Sequence, residues 1–503
     1  METYSNYNLF VILFSAFGSL FTGYGLAVIG NTLGQPTFYT TMHVPAVPTD
    51  PAYSHTRTLI GAANGIFFGA GFVNCLIAAW TVDALGRRST FRLAAAIGIV
   101  GGTLQCAAVN QAMYLVARAF TAIPVGITIV AMPIYYSEVA PPHSRGLMAG
   151  AHGCCINLGY FLAAWIGFAC YYAADSTFGW RFPNAVVVLW AVLLLVGTLF
   201  VPESPRWLVQ RQRNAEALKI LCRLHHDPSD PEDTFAHREL NLIVKQLEQD
   251  RGAITGGGRW QLFTEKTYRK RLLLALMIAI GGQNAGILVI NNYNVLLYES
   301  LGLTGSMPLL IAAVWNTIGF IANVVRAATS DRTGRRTALV YGYAFTMGSF
   351  VIATGLIGKY AETPTRGWAA AATVFLFIYV VGYGTCIDPN QFTVVSEIFP
   401  SHLRGQAVGI SLCGLFLADT LWLELQPTAE GAIGWKYYLV FACLGMTSGL
   451  ALEEIDQLFG KTVVAHLDDH PLAGTAVNGA SGETGEKDGA VTAQHAETAQ
   501  VKQ

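Results

Sequence analysis

The chain has 503 residues, of which 53% are apolar and only 13% are charged, whereas about 25% of residues are charged in a typical soluble domain. The formal net charge of −1 gives no electrostatic reason to expect a nucleic acid as a partner. Apolar stretches of about 20 residues recur along the chain, and such stretches are typical of helices that cross a lipid bilayer. We therefore predict an all-α membrane protein surrounded by lipid.

Twelve membrane-spanning helices are predicted, in chain order, at 8–28, 58–80, 91–109, 112–136, 146–172, 183–201, 272–298, 306–328, 337–358, 368–396, 405–425 and 436–452. Residues 29–57 are predicted to form a polar external loop. The twelfth span is short, because the 16 residues from Tyr437 to Leu452 cover about 24 Å of helix against a hydrocarbon core of about 30 Å. Helix 12 is therefore either truncated or incomplete in the gene sequence, and both explanations stay open.

The segments outside the spans divide the chain into four regions. Residues 1–201 and 272–460 hold six predicted spans each. Residues 202–271 contain two stretches with helical spacing and are predicted to link the two halves, whereas residues 461–503 lack periodicity and are predicted to form a disordered tail. Lysine and arginine concentrate in alternate loops, so the positive-inside rule places both termini in the cytoplasm.

Two short motifs each occur twice in the chain. DALGRR at Asp83–Arg88 returns as DRTGRR at Asp331–Arg336, and SEVAPPHSRG at Ser137–Gly146 returns as SEIFPSHLRG at Ser396–Gly405. Both offsets are about 250 residues. Near-equal offsets predict a duplicated unit of six spans, and hence two pseudo-symmetric six-helix bundles. Transporters built from such repeats bind the substrate at the interface between them.

The sequence carries no pattern that would favour an enzyme. Its nine cysteines lack the spacing of metal ligands, and neither a glycine-rich phosphate loop nor a Ser–His–Asp pattern is evident. We therefore expect no catalytic residues, no metal and no cofactor.

Further motifs surround the repeated ones: PIYYSE at Pro133–Glu138, WRFP at Trp180–Pro183, PESPRWL at Pro202–Leu208, INNY at Ile290–Tyr293 and LEEIDQLFG at Leu452–Gly460. With these motifs the chain, from about residue 10 to residue 460, resembles the sugar porter family of the major facilitator superfamily, and in particular its fungal hexose-transporter-like members. The resemblance implies a cell-membrane protein that moves a sugar by alternating access. The alternative is a non-transporting sugar sensor, or an inactive paralogue, on the same fold.

The resemblance also implies a charged gate on the cytoplasmic side. In the family the repeated motifs form ion-pair networks that hold the two bundles together while the substrate site faces outward. The residues carried over are Asp83, Arg87, Arg88, Glu138 and Arg145 from the first half, and Asp331, Arg335, Arg336, Glu397 and Arg404 from the second.

A sugar site needs hydrogen-bonding groups and aromatic faces inside the bundle. Of the family's two adjacent glutamines on helix 7, only Gln283 is present, because the first position is Gly282; the family's asparagine position is Leu288. For His152, a hydrogen bond between helices is an equal alternative to substrate contact. The candidate substrate-binding residues are Gln283, Asn291, Asn292 and Tyr293 on helix 7, His152 and Asn157 on helix 5, Asn316 on helix 8, and Phe392, which replaces the family's tryptophan on helix 10.

Proton coupling depends on buried carboxylates. Proton-coupled family members pair the helix 4 arginine, here Arg118, with a helix 1 aspartate, and this chain has Gly25 at that position. The replacement favours facilitated diffusion. Asp388 is a candidate substitute, since it lies about 13 Å along a helix from Glu397 and hence near mid-membrane. A structural hydrogen bond, or a salt bridge with a base such as Arg326, is the other interpretation, and protons as a co-substrate stay open.

Overall fold

The computed structural model describes residues 6–47, 50–139, 145–173, 176–225, 230, 232–253, 261–329, 335–399 and 403–458. The first half of the fold comprises α1 (Asn6–Leu33), α2 (Pro36–Thr41), α3 (Tyr53–Leu85), α4 (Arg87–Cys106), α5 (Gln111–Val139), α6 (Arg145–Tyr171) and α7 (Phe178–Gly197). Four shorter helices follow in the linker: α8 (Pro205–Gln210), α9 (Asn214–Leu224), α10 (Thr234–Ala253) and α11 (Gln261–Thr264). The second half comprises α12 (Lys266–Asn284), α13 (Ile287–Ser300), α14 (Met307–Thr329), α15 (Arg335–Glu362), α16 (Arg366–Gly382), α17 (Asp388–Glu397), α18 (Arg404–Ile433) and α19 (Tyr437–Leu458).

The predicted number of spans is confirmed over the described residues. Ten stretches are long and apolar enough to cross a membrane, and the longest, Arg404–Ser448, turns at Gly434 and so contains two spans, α18 and α19. The twelfth span is α4, whose mean hydropathy is lowered by Arg87, Arg88 and Arg92 at its start. The fold is therefore a twelve-span helical membrane protein with two six-span halves.

Two predicted boundaries are wrong. Residues 29–57 are not simply a polar loop, because α1 continues to Leu33 and α2 follows at once, with Phe38 and Tyr39 buried. Pro36 stands in the first turn of α2, where the missing N–H costs nothing. The last span, α19, has 22 residues, or about 33 Å of helix. Helix 12 is thus long enough as a helix, and only its apolar part is short.

The seventh and tenth spans are interrupted, whereas the sequence predicts one continuous helix for each. The seventh breaks at Gly286, whose φ of 83° is left-handed, a conformation that only glycine adopts without strain. The tenth contains a π-helical turn at Tyr383–Ile387, directly before Asp388 and Pro389. Such interruptions expose backbone groups and redirect side chains inside the membrane, where transporters build their substrate sites.

The two halves meet along α3 and α18, which approach each other closely at glycines. A Cβ atom added to Gly409 would lie 2.6 Å from the Cβ atom of Ala79, and one added to Gly61 would lie 3.0 Å from the carbonyl oxygen of Glu424. Only a hydrogen atom fits at these positions, so the halves pack backbone against backbone along this interface.

Candidate substrate cavity and gate

A central cavity lies between the two halves. It is lined by α1, α5 and α6 from the first half and by α12, α13, α14, α16, α17 and α18 from the second. The space free of protein atoms is about 660 Å³, and this value includes space open to solvent. Because both halves form its wall, a small solute held there would contact both halves.

The polar lining is made almost entirely of amides. Six amide side chains contribute: Asn157, Gln283, Asn291, Asn316, Asn323 and Gln391. Aromatic rings occupy part of the remaining wall: Tyr160, Trp315, Tyr383 and Phe392. Amides both donate and accept hydrogen bonds, and aromatic faces pack against C–H groups. This combination can bind a polyhydroxylated solute.

Several amide oxygens in the lining have no hydrogen-bond donor among the described residues. They are Oε1 of Gln283, Oε1 of Gln391 and Oδ1 of Asn323, and all three are buried from solvent. An unsatisfied buried acceptor costs about 1–3 kcal/mol. A ligand rich in hydroxyl donors would remove this cost.

Asp388 begins α17 and contributes its carboxylate to the cavity wall. One oxygen accepts a 2.8 Å hydrogen bond from Nδ2 of Asn157, and the other accepts a 3.1 Å bond from Nε2 of Gln391. The carboxylate therefore binds two amides, one from each half. Arg326, named above as an alternative partner, donates instead to Oδ1 of Asn390 at 2.9 Å.

The cavity brings together some of the predicted site residues. Those that line it are Gln283, Asn291, Asn157, Asn316, Phe392 and Asp388. Asn292, Tyr293 and His152 are buried outside the lining. Tyr293 donates a 2.7 Å bond to the carbonyl of Leu423, and His152 lies 2.7 Å from the hydroxyl of Ser19. Roles for all these residues in substrate binding stay predictions.

Arg118 lies in the interior of the first half, away from the cavity lining. Its Nε donates to the carbonyl of Ala63 at 3.3 Å, and its guanidinium lies over the ring of Phe67, 4.0 Å from the centroid. Its two terminal nitrogens have no hydrogen-bond partner among the described residues. A cation–π contact thus accompanies this buried charge.

Sequence reasoning missed Gln391 and Asn323. Gln391 fills the space that a side chain at residue 282 would need, because a Cβ atom added to Gly282 would collide with Oε1 of Gln391. Helix 10 thus supplies an amide where the family's helix 7 glutamine is absent. Asn323 could have been found, because it follows Asn316 by seven residues, two helical turns, and therefore shares its face.

Three of the predicted first-half gate residues, Asp83, Arg87 and Glu138, form a compact ion-pair cluster. Arg87, only 2% exposed, donates to both carboxylate oxygens of Glu138 at 2.8 and 2.7 Å, and lies 3.1 Å from Asp83. The Asp83 carboxylate also reaches the second half, since a Cβ atom added to Gly405 would lie 2.9 Å from it. Gly405 is in the first turn of α18, where backbone N–H groups favour an anion.

The other predicted gate residues differ in their placement. The side chain of Arg88 binds backbone carbonyls: Nε donates to Thr198 at 2.6 Å and a terminal nitrogen donates to Leu199 at 3.2 Å. Arg404 is the first residue of α18. Asp331 and the side chains of the remaining candidates, Arg145, Arg335, Arg336 and Glu397, lie outside the described part of the chain.

Twelve spans in two halves, a polar cavity between them and a charged cluster that contacts both halves define a membrane transporter. The chain belongs to the family described as "Sugar (and other) transporter", whose model matches residues 11–452.

Known proteins with similar sequence or structure are also transporters. The high-affinity hexose transporter ght4 of Schizosaccharomyces pombe is 28% identical, over 90% of this chain and 83% of its own. A probable quinate permease of Aspergillus niger is 29% identical, over 90% and 88%. The solved structure of the proton:xylose symporter XylE superposes with a TM-score of 0.76 at 23% identity, covering 90% of this chain and 96% of its own. The structural match supports the major facilitator fold.

Proposed function

We propose that the protein carries a hexose-type sugar across the cell membrane by facilitated diffusion, with alternating access of the central cavity. The observation that carries this proposal is the set of acceptor oxygens on Gln283, Gln391 and Asn323, which have no donor among the described residues. A sugar presents several hydroxyl donors to a small space, and its C–H faces can pack against Trp315 or Phe392.

The charge of the cavity supports a neutral sugar over an acidic solute. Asp388 is the only carboxylate, and there is no Lys, Arg or His, among the described residues that line the cavity. A carboxylate substrate would bring a second negative charge close to Asp388 and would supply acceptors where donors are needed. On this reasoning a hexose, as named for the fission yeast relative, fits better than quinate, as named for the Aspergillus niger relative.

The polar contacts between the halves support a rocking mechanism. Tyr293 of the second half accepts a 2.9 Å bond from Asn64 of the first, Asn157 bonds to Asp388, and Asp83 contacts the start of α18. These contacts lie at different depths along the halves. When the cavity opens to one face of the membrane, some of these contacts between the halves would break while others are kept. This alternation is the alternating-access mechanism.

Facilitated diffusion is supported by the finding that Arg118 has no partner carboxylate among the described residues. Gly25 has no side chain, and a Cβ atom there would lie 3.0 Å from Val125. Proton symport has one specific observation in its favour, the Asp388 carboxylate in the cavity wall. Its two oxygens accept hydrogen bonds from amides of both halves, so we assign it a binding role.

For the division of the chain into regions and its orientation in the membrane, we propose what the sequence predicts. Residues 1–201 and 272–460 form the two bundles, residues 202–271 link them, and both termini lie in the cytoplasm of a protein in the cell membrane. The basic residues on the linker side support this orientation.

A test that isolates the substrate class is counterflow into proteoliposomes that hold the purified full-length protein. Labelled glucose should exchange against internal glucose with no imposed pH gradient. Unlabelled glucose should compete, and glucuronate, its carboxylate analogue, should not. Sugar binding without counterflow would instead indicate a receptor, and competition by glucuronate equal to that by glucose would contradict the assigned substrate class.

A further inference from the structure

A second cavity lies on the linker side of the first half and shares no lining residue with the central cavity. It contains about 1,090 Å³ of space free of protein atoms, between the start of α4, the residues after α7 and the linker helices α8 and α9. Of its lining residues, only Arg88 is among the predicted gate residues.

Cations outnumber carboxylates in the wall of this second cavity. The cations are Arg88, Arg92, Arg213, Lys219 and Arg223, and the carboxylates are Glu203 and Glu216. Both carboxylates are engaged by the protein: Glu203 accepts from the backbone N–H groups of Arg87 and Ser204, each at 2.9 Å, and Glu216 accepts from the guanidinium of Arg213. The cavity therefore keeps a positive excess.

Two of the cations, Arg92 and Lys219, have N–H groups that make no hydrogen bond to a described residue. Arg92 uses its Nε to reach the hydroxyl of Thr198 at 3.2 Å, which leaves the two terminal nitrogens of its guanidinium. Lys219 is exposed and makes no hydrogen bond or ion pair with any described residue. Arg223, a third cation of the lining, lies over the ring of Tyr7, 3.8 Å from its centroid. Together these groups can bind a phosphate from several sides.

The rim of the same cavity is apolar and exposed. Leu85 is 46% exposed, Leu199 is 64% exposed and Phe200 is 53% exposed, and all three belong to the lining. They stand at or just beyond the ends of α3 and α7, where a membrane span meets the headgroup layer. A soluble phosphate ester would contact the cations but leave the apolar rim exposed to water, whereas the acyl chains of a lipid would cover the rim.

We propose that the second cavity is a binding site for the phosphate of an anionic phospholipid in the leaflet on the linker side. The cations bind the phosphate, and the apolar rim takes the upper part of the acyl chains. The lipid thereby joins α4, α7 and the linker helix α9. The proposal concerns a site apart from sugar binding, so it stands independently of the transported substrate.

The test is the thermal unfolding midpoint of the purified full-length protein in detergent. It is titrated with dioctanoyl phosphatidylinositol 4-phosphate, with dioctanoyl phosphatidylcholine and with glycerol 3-phosphate. We expect the midpoint to rise only with the anionic lipid. Arg92→Gln/Lys219→Gln should weaken the apparent affinity roughly tenfold or more, since each cation near an anionic headgroup contributes about a fivefold factor. Lys245→Gln/Lys266→Gln, which removes two exposed lysines outside the cavity, should leave the affinity unchanged.

The outcomes separate the possible sources of phosphate. A rise with glycerol 3-phosphate equal to that with the anionic lipid would overturn the lipid assignment. No rise with the anionic lipid, an equal rise with phosphatidylcholine, or an equal loss in the control variant would overturn the site. If the double variant unfolds before titration, Lys219→Gln alone, at an exposed side chain, should still weaken the lipid affinity by about fivefold.

Discussion

The side-chain amide of Asn157 donates a 2.8 Å hydrogen bond to the carboxylate of Asp388, and this bond joins the first half to the second at the wall of the central cavity. Hydrogen bonds to a charged group contribute about 1.5–3 kcal/mol. The bond must break whenever α6 and α17 separate. Asp388 thus links the charge of the cavity to the movement of the two halves.

Asp388→Asn should change substrate selection more than hexose transport. Asparagine keeps the size and one acceptor oxygen but removes the charge, so hexose uptake should stay within about threefold of the wild-type rate, a loss of at most about 0.7 kcal/mol. Inhibition by glucuronate should strengthen by about tenfold, because the like-charge repulsion is lost. Inhibition constants measured against labelled glucose check both effects. Abolished hexose uptake in a correctly inserted variant would mean that the carboxylate is needed for transport.

Asn291 and Asn292 are neighbours in sequence but differ in their access to the cavity, because Asn291 lines it and Asn292 does not. Asn291→Ala and Gln391→Ala should each raise the KM for hexose by about three- to tenfold. This factor corresponds to the binding free energy of one neutral hydrogen bond. Asn292→Ala should leave the KM unchanged and should act, if at all, on stability. Equal KM values for the Asn291 and Asn292 variants would place the substrate elsewhere.

Arg87→Gln should abolish most uptake. Arg87 is buried between Glu138 and Asp83, and removing one partner of a buried ion pair costs about 3–5 kcal/mol. Arg88→Gln should keep a substantial part of the activity, since the Arg88 guanidinium donates to two backbone carbonyls and leaves no buried carboxylate unpaired. Uptake per molecule at the cell surface distinguishes a gating defect from poor insertion. An equal loss of uptake in the two variants would contradict the larger role that we assign to Arg87.

Gly409→Ala should weaken the contact between the halves. Its new Cβ atom would meet the Cβ atom and backbone of Ala79 on α3, so both the thermal unfolding midpoint and the uptake should fall. Gly348→Ala is a matched control inside α15, where nothing lies within 4 Å of the added atom. There, alanine should stabilise the helix by about 0.5–1 kcal/mol. A midpoint that falls equally in both variants would show that the effect is not one of interface packing.

Most of the twelve spans could be predicted because they are apolar runs long enough to cross lipid. The interruptions could not: α12 and α13 are both apolar next to Gly286, and nothing in the local sequence marks this glycine, among 52, as left-handed. Hydropathy alone therefore yields the number of spans but not their breaks.

The candidate site was predictable by residue type more than by position. Asn291, Asn292 and Tyr293 point about 100° apart in succession around one helix. The polar residues of that helix are spread around it, so no single polar face marks the cavity. The replacement of a missing helix 7 side chain by Gln391 is a contact between helices 7 and 10. Such a contact becomes visible only when the two spans are packed together.

Facilitated hexose transport is tested most directly by uptake of labelled glucose into yeast cells that lack their own hexose transporters. Cells that express the full chain should show saturable uptake that excess unlabelled glucose suppresses and that a protonophore leaves unchanged. A protein that reaches the cell surface but gives no uptake, or uptake that collapses with the protonophore, would contradict facilitated diffusion through this cavity.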